Sequence, residues 1–260
     1  MCYKHQFYGI ASHRCVQMTP TLRCNQRCLF CWRSFEHEPK EEEECLPETI
    51  LDGIHKLQKK ALAGYNAVLD NTVTEKQWQE ALNPKHVAIS LSGEPTIYSK
   101  LPELIDLFNS KGYSTFLVSN GTNPEMLKKC NPFQMYISLD APDRNTYKAV
   151  CRPLGDYWER VRESLRQLRS RRSAVRVTLV KGLNDFAPEH YAAILQDAGA
   201  SFVEIKGYMY LGYSRKRLTR ENMPEHAEVR TFTEKIAAAC DYRVKDENKL
   251  SRVVVLERMT

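Results

Sequence analysis

The sequence predicts an α/β fold in which helices cover a parallel sheet, and three observations predict it. Apolar runs of strand length alternate with segments of helical periodicity about six times along the chain. No internal repeat and no Pro/Gly/Ser-rich linker interrupts the alternation, so the 260 residues read as one domain. The residues just past the strands are small, polar or charged: Ser92-Gly93-Glu94-Pro95, Asn120-Gly121-Thr122, Asp140-Ala141-Pro142, Lys181-Gly182 and Lys206-Gly207-Tyr208. Chemistry in such folds gathers at the C-terminal strand ends, so these residues are expected to converge on one mouth.

Each element has its own signal. Arg14 to Met18 alternates and reads as a strand leading into a cysteine-rich loop. The acidic stretch from Glu36 to Glu44 reads as a solvated loop. Pro47 opens a helix with Ile50, Ile54, Leu57 and Leu62 at helical spacing, and a second helix is expected over Thr74 to Leu82. His86 to Leu91 is a buried strand, Leu101 to Ser110 a helix, and Gly112 its stop. Ser114 to Ser119 is a strand, Pro124 starts a short helix, and Met135 to Leu139 is a strand. A helix over Tyr157 to Leu168 precedes a strand over Val175 to Val180. A helix from Pro188 to Asp197, a strand from Phe202 to Lys206 and a helix from Pro224 to Ala239 follow. Ser251 to Leu256 closes the chain as a strand.

Composition narrows the function classes. Hydrophobic residues make up 42% and charged residues 27%, ordinary for a globular protein. No run approaches the roughly 18 apolar residues of a membrane helix, and the first residues lack the apolar core of a signal peptide. A cytoplasmic setting is expected, in which nine cysteines suggest metal or redox chemistry rather than disulfides. A net charge of +6 admits an anionic partner. The stretch Tyr208 to Arg220 interleaves Tyr208, Tyr210 and Tyr213 with Arg215, Lys216, Arg217 and Arg220. Cations beside stackable rings suit looped or single-stranded RNA; an ordinary basic loop is the alternative.

Cys24-Asn25-Gln26-Arg27-Cys28-Leu29-Phe30-Cys31 carries the strongest chemical signal. Thiolates select zinc, Cu(I) or iron–sulfur clusters. Zinc sites and iron–sulfur clusters ordinarily take four protein ligands, and this loop offers three. That points to a four-iron cluster with one iron open to a non-protein ligand. Zinc completed by a distant residue, or unrelated buried thiols, are the alternatives.

This loop resembles the signature of the radical S-adenosylmethionine superfamily, with Phe30 just before the last cysteine. The resemblance implies a partial (β/α)6 barrel and a 4Fe–4S cluster on Cys24, Cys28 and Cys31. It also implies S-adenosylmethionine on the open iron as the source of a 5′-deoxyadenosyl radical. Ser92-Gly93-Glu94 stands where that superfamily usually has Gly-Gly-Glu, so Gly93 and Glu94 are expected to meet the methionine ammonium. Asn120, Ser138 and Asp140 stand where the superfamily contacts the rest of the cofactor.

A narrower resemblance, to the 4-demethylwyosine synthase family, rests on Met18-Thr19-Pro20, Cys28 to Arg33, Ser90 to Thr96, Ile137 to Pro142, Lys206 to Met209 and Gly212 to Arg215. It implies a tRNA(Phe) substrate carrying N1-methylguanosine at position 37, and pyruvate. It further implies an external electron-donor protein and a second 4Fe–4S cluster on upstream cysteines. Cys2 and Cys15 match two of its three ligands, and the third would lie before Met1. Residues 1–20 then read as an extension holding that second site and 21–260 as the barrel core. Lys4 is expected to form a Schiff base with pyruvate, the alternatives being a substrate role for Lys206 at its strand end or pyruvate on the open iron of the second cluster. Lys206, Tyr213, Arg215 and Arg217 are expected to meet the RNA, with Trp32 and Arg33 nearby. A monomer is expected. A radical peptide-maturation or activase enzyme, and a metal-stabilised RNA-binding module without catalysis, are the competing readings.

Overall fold

Six strands pair in parallel and in chain order: β1 (Cys15–Met18), β2 (His86–Ile89), β3 (Ser114–Ser119), β4 (Gln134–Ser138), β5 (Ser173–Leu179) and β6 (Phe202–Gly207). Two more strands, β7 (Tyr242–Asn248) and β8 (Val253–Arg258), extend the sheet in antiparallel fashion, with β8 beside β6 and β7 outermost. This is the expected α/β architecture, a partial barrel of parallel strands closed at one side by a hairpin. The computed structural model describes residues 2–35, 43–68 and 73–259.

Strand periodicity sorts the side chains into two layers. Val87, Ile89, Leu117, Met135, Ile137, Val175, Val177, Val203 and Ile205 face the covering helices and form the main core. That core is completed by α4 (Leu101–Ser110), α8 (Pro188–Ala198) and α9 (His226–Ala237), through Leu104, Phe108, Tyr191, Leu195, Val229 and Ile236. The alternate residues Ala88, Phe116, Tyr136 and Ala174 form a separate cluster on the other face, with Ile10. Because parallel strands are apolar on both faces, they stood out in the sequence.

Three elements were unexpected beside residues 15–18, which form the first strand of the sheet as the alternation over Arg14 to Met18 predicts. Ahead of them lies an unexpected helix, α1 (Tyr3–Tyr8), whose Tyr3 and Phe7 pack with Val253 and Val255. A helix this short is marginal by itself and is held by tertiary packing. A second unexpected helix, α6 (Arg144–Cys151), is capped by Asp143, which accepts from the Thr146 amide at 2.8 Å. The third is β7, an edge strand whose charged residues hid its alternation. Of the acidic stretch expected as a loop, residues 36–42 lie outside the described residues.

Candidate active site

The cysteine loop leaves β1 and is gripped from two sides. On one side α6 and the turn after it meet the loop backbone. Arg27 N donates to Cys151 O and Arg152 O, both at 3.1 Å, Leu29 N to Val150 O at 2.9 Å, and Leu154 N to Asn25 O at 2.9 Å. Gln26 Nε2 donates to Tyr147 Oη at 2.7 Å. On the other side stands Arg217. Its Nε donates to Leu29 O at 3.2 Å, and its Nη2 donates to Arg33 O at 3.1 Å and to Cys31 O. Its guanidinium lies 4.1 Å from the Phe35 ring centroid. Arg217, expected at the RNA, instead fixes the second half of the cysteine motif. A guanidinium suits this, because its fork can serve several carbonyls at once.

Cys24, Cys28 and Cys31 all line one cavity of about 530 Å³, and none is in a disulfide. Burial pushes the Cys24 thiol up to about 12, with the Glu94 charge adding to it. Burial likewise raises Cys31, and a hydrogen bond to Cys151 followed by burial raises Cys28. Thiols so placed stay neutral until a cationic centre takes them as thiolates. Among the described residues no three of His, Cys, Asp and Glu stand close enough to hold a single metal ion. A four-iron cluster takes one thiolate per iron, so its ligands stand further apart. Three soft donors on one loop, opening on a cavity that can bring the fourth ligand, fit that cluster.

The ends of β2 and β3 form the wall next to the loop. Gly93 has φ +71°, and a Cβ there would collide with Thr21 O and come within 2.8 Å of Arg23 O. Glycine is required because the backbone entering the cysteine loop crosses so closely. Glu94 N donates to Arg23 O at 2.8 Å, locking the two segments together. The Glu94 carboxylate is 2% exposed. Its Oε1 accepts from Thr96 N, Thr96 Oγ1 and Ser119 Oγ at 3.0, 2.7 and 2.7 Å. Its Oε2 accepts from Asn120 N alone, at 2.7 Å, and keeps one acceptor position. Asn120 Nδ2 donates to Asn25 Oδ1 at 2.9 Å, and Asn25 Nδ2 to Thr122 Oγ1 at 2.8 Å. Asn25 and Thr122, which the sequence reading passed over, tie the loop to β3. Gly93, Glu94, Asn120, Ser138 and Asp140 all line the cavity. Burial raises the Asp140 carboxyl to about 6, against the Thr178 amide that donates to it at 2.6 Å.

The opposite wall is built by β5, β6 and α1. Lys4, Arg176 and Lys206 line the same cavity. Lys4 Nζ lies 4.2 Å from the Tyr136 ring centroid, and Lys206 Nζ 5.2 Å from that of Tyr3. Burial lowers both lysines. Between them Glu204 is fully buried and accepts from Tyr3 Oη at 3.0 Å and Tyr8 Oη at 2.6 Å. Lys206 is therefore inside the barrel, at the strand end where the sequence put it. Cys2 also lines the cavity, and the charge of Lys4 is felt at Cys15. Cys151 lies beside Cys28.

The rim carries the remaining residues. Tyr213 is 37% and Trp32 45% exposed, and Arg215 is exposed as well. Tyr213 N donates to Trp32 O at 2.8 Å. Gly212, at φ +58°, has no room for a Cβ against Trp32 O. The basic-aromatic segment and the cysteine loop are thus one connected unit.

Comparison with known proteins follows these features. Residues 18–198 match the radical SAM superfamily, and residues 197–258 match a family described as wyosine base formation. The S-adenosyl-L-methionine-dependent tRNA 4-demethylwyosine synthase of Methanocaldococcus jannaschii is 42% identical, over 98% of this chain and 85% of its own length. The enzyme of that name from Pyrococcus abyssi is 44% identical, over 99% of this chain and 78% of its own. A solved structure of TYW1 with a lysine–pyruvate adduct bound superposes with a TM-score of 0.88 at 42% identity, covering 99% of this chain and 84% of that one. No described helix is long and apolar enough to cross a membrane. With its three-cysteine loop on the first strand of a six-strand parallel barrel, the chain belongs to the S-adenosyl-L-methionine-dependent tRNA 4-demethylwyosine synthase family of radical SAM enzymes.

Proposed function

We propose that this enzyme converts N1-methylguanosine at position 37 of tRNA(Phe), with pyruvate, to 4-demethylwyosine. The observation that carries the reading is the cavity itself, in which Lys4 shares one chamber with the three cysteines of the loop. Cys24, Cys28 and Cys31 would hold a 4Fe–4S cluster with S-adenosylmethionine as its non-protein ligand, and the pair, given an electron by an external donor protein, would supply the 5′-deoxyadenosyl radical chemistry for taking hydrogen from the N1-methyl group. The protein's own residues do the rest. Arg217 with α6 holds the cysteine loop. Glu94 Oε2 accepts from the methionine ammonium, and Asn120, Ser138 and Asp140 line the remainder of the cofactor's bed. The Lys4 amine attacks the pyruvate keto carbon and expels water, leaving an iminium on the side of the cavity away from Glu94. The substrate carbon radical would add to the iminium carbon, and the bond to the carboxyl group would break and expel it as the carbon dioxide radical anion with the odd electron. The guanine exocyclic amine would then displace Lys4 from the restored iminium to close the ring.

The rim receives the RNA. Trp32 and Tyr213 offer ring faces and Arg215 a charge to the anticodon loop, whose bases splay out at small cost. Lys206, inside the chamber, meets the flipped base or the pyruvate rather than the RNA backbone. Cys2 and Cys15 remain candidates for a second cluster beside Lys4. We treat residues 1–260 as a single domain, a monomer acting in a reducing, cytoplasmic setting, where all nine cysteines stay free. The test is reaction of reconstituted, reduced enzyme with tRNA carrying N1-methylguanosine, with and without pyruvate, followed by mass analysis of the nucleoside. A tricyclic product that needs pyruvate supports the reading. Cleavage of S-adenosylmethionine with no change to the nucleoside would favour a radical enzyme for another substrate.

A further inference from the structure

Three cations line the chamber, and they are not equivalent. Lys4 rests over Tyr136 and Lys206 over Tyr3. Arg176 has, among the described residues, no hydrogen bond, no ion pair and no ring beneath it, although it lines the chamber. Acidic groups nearby, Tyr3 first and then Glu204 and Asp140, make its proton harder to lose, but among the described residues none of them is hydrogen-bonded to it. Glu204, its register partner on β6, gives one oxygen to each of two tyrosines. Asp140 takes the Thr178 amide on Oδ1. Lys4 and Lys206 rest on aromatic rings, so a guanidinium with neither a ring nor a direct hydrogen bond is the exception among the three. A guanidinium cannot escape by losing its proton, and leaving a charged group without a partner in a confined, partly desolvated site is costly. The cost is offset when a ligand brings the acceptor, and the guanidinium fork matches a carboxylate through two parallel hydrogen bonds.

Position selects which carboxylate. Arg176 pairs in register with Ser138 on β4 and Glu204 on β6, and two residues on Thr178 pairs with Lys206. That places it three strands away from Glu94 at β2 and two from Asn120 at β3, which close the cofactor's methionine end. It stands instead on the wall that carries Lys4. A small α-keto acid held there would direct its keto carbon to the Lys4 amine and its carboxylate to the guanidinium. We propose that Arg176 is the carboxylate receptor for the α-keto acid cosubstrate, with Lys206 adding positive charge beside it. This rests on the reading of pyruvate as cosubstrate and assigns the group that selects for its acid end.

The experiment has two arms. In the first, wild-type holoenzyme is offered pyruvate and its neutral methyl ester, each trapped on the protein by borohydride. The expected result is a preference for pyruvate on the order of thirtyfold, the discrimination of a buried charge pair. In the second, Arg176→Gln and Arg176→Lys are compared with wild type for the pyruvate KM and for the dissociation constant of S-adenosylmethionine. Arg176→Gln should raise the pyruvate KM about thirtyfold and abolish the preference over the ester, and Arg176→Lys should fall between. Affinity for S-adenosylmethionine should move less than about threefold. Equal trapping of acid and ester by wild type overturns the assignment, and so does a variant that loses S-adenosylmethionine while keeping its pyruvate KM. If pyruvate is neither trapped nor required, the function reading itself fails, a result distinct from either of these.

Discussion

The two walls of the chamber are built in opposite ways. The wall of the cysteine loop, β2 and β3 is made of short, contiguous segments: Cys24 to Cys31, Ser92 to Glu94, and Asn120 to Thr122. Its parts are joined by backbone contacts and by a few side chains close to the motifs, such as Asn25 to Asn120. The wall of α1, β5 and β6 is made of single residues from distant parts of the chain, and Tyr3 meets Glu204 across 201 positions. The first wall must fit a cofactor common to a whole superfamily, so its chemistry is compressed into motifs. The second, on the function proposed above, fits one pair of substrates, and its residues need only arrive at the right strand positions. Cofactor chemistry should therefore fail when the first wall is altered, and substrate chemistry when the second is.

The largest effects test that division outright. Cys28→Ala should abolish cluster assembly and all cleavage of S-adenosylmethionine, read as loss of the brown chromophore and of 5′-deoxyadenosine. Lys4→Ala should abolish the tricyclic nucleoside while the reduced enzyme still releases 5′-deoxyadenosine. Loss of both products in Lys4→Ala would break the comparison.

Arg217→Ala sharpens it at the border between the walls and the rim. Removing a guanidinium that serves three carbonyls of the cysteine loop should destabilise the protein by about 2–4 kcal/mol. It should also perturb the cluster's electron paramagnetic resonance spectrum. Arg215→Ala, at an exposed site, should leave that spectrum alone and weaken tRNA binding about three- to tenfold, lowering the salt slope by about one. Equal effects of the two variants on tRNA binding, with no spectral change in either, would return Arg217 to the RNA surface.

The smallest effect concerns Asp140. Its proton is held more tightly in the fold, at about 6, than at the ordinary 3.8. Such a group adds stability at low pH and loses it as pH rises through that window, by up to ~3 kcal/mol. Denaturant titrations of the apoprotein at pH 5 and pH 7 should show about 1 kcal/mol of that decline in wild type and less of it in Asp140→Asn.

How much of this was legible follows from the same division. The parallel strands were visible because they are apolar on both faces, and β3 and α4 fell where their patterns placed them. The cysteines and Gly93-Glu94 were visible because a metal ligand set and a close backbone crossing each demand particular residues in sequence. The helices α1 and α6 were missed because neither carries two turns of apolar repeat, though Asp143 with Thr146 was a readable cap for α6. The inward turn of Arg217 was not legible because composition shows a charge but not where it points; its basic neighbours are exposed while it is half-buried. Arg176 was not singled out because a lone charge inside a strand acquires meaning only once its neighbours across the sheet are known.

The most direct test of the substrate wall is reductive trapping of pyruvate on the holoenzyme, followed by peptide mass mapping. The account predicts a single adduct on Lys4 that disappears in Lys4→Ala. An adduct on Lys206, or turnover that depends on pyruvate without any trapped lysine, would contradict it.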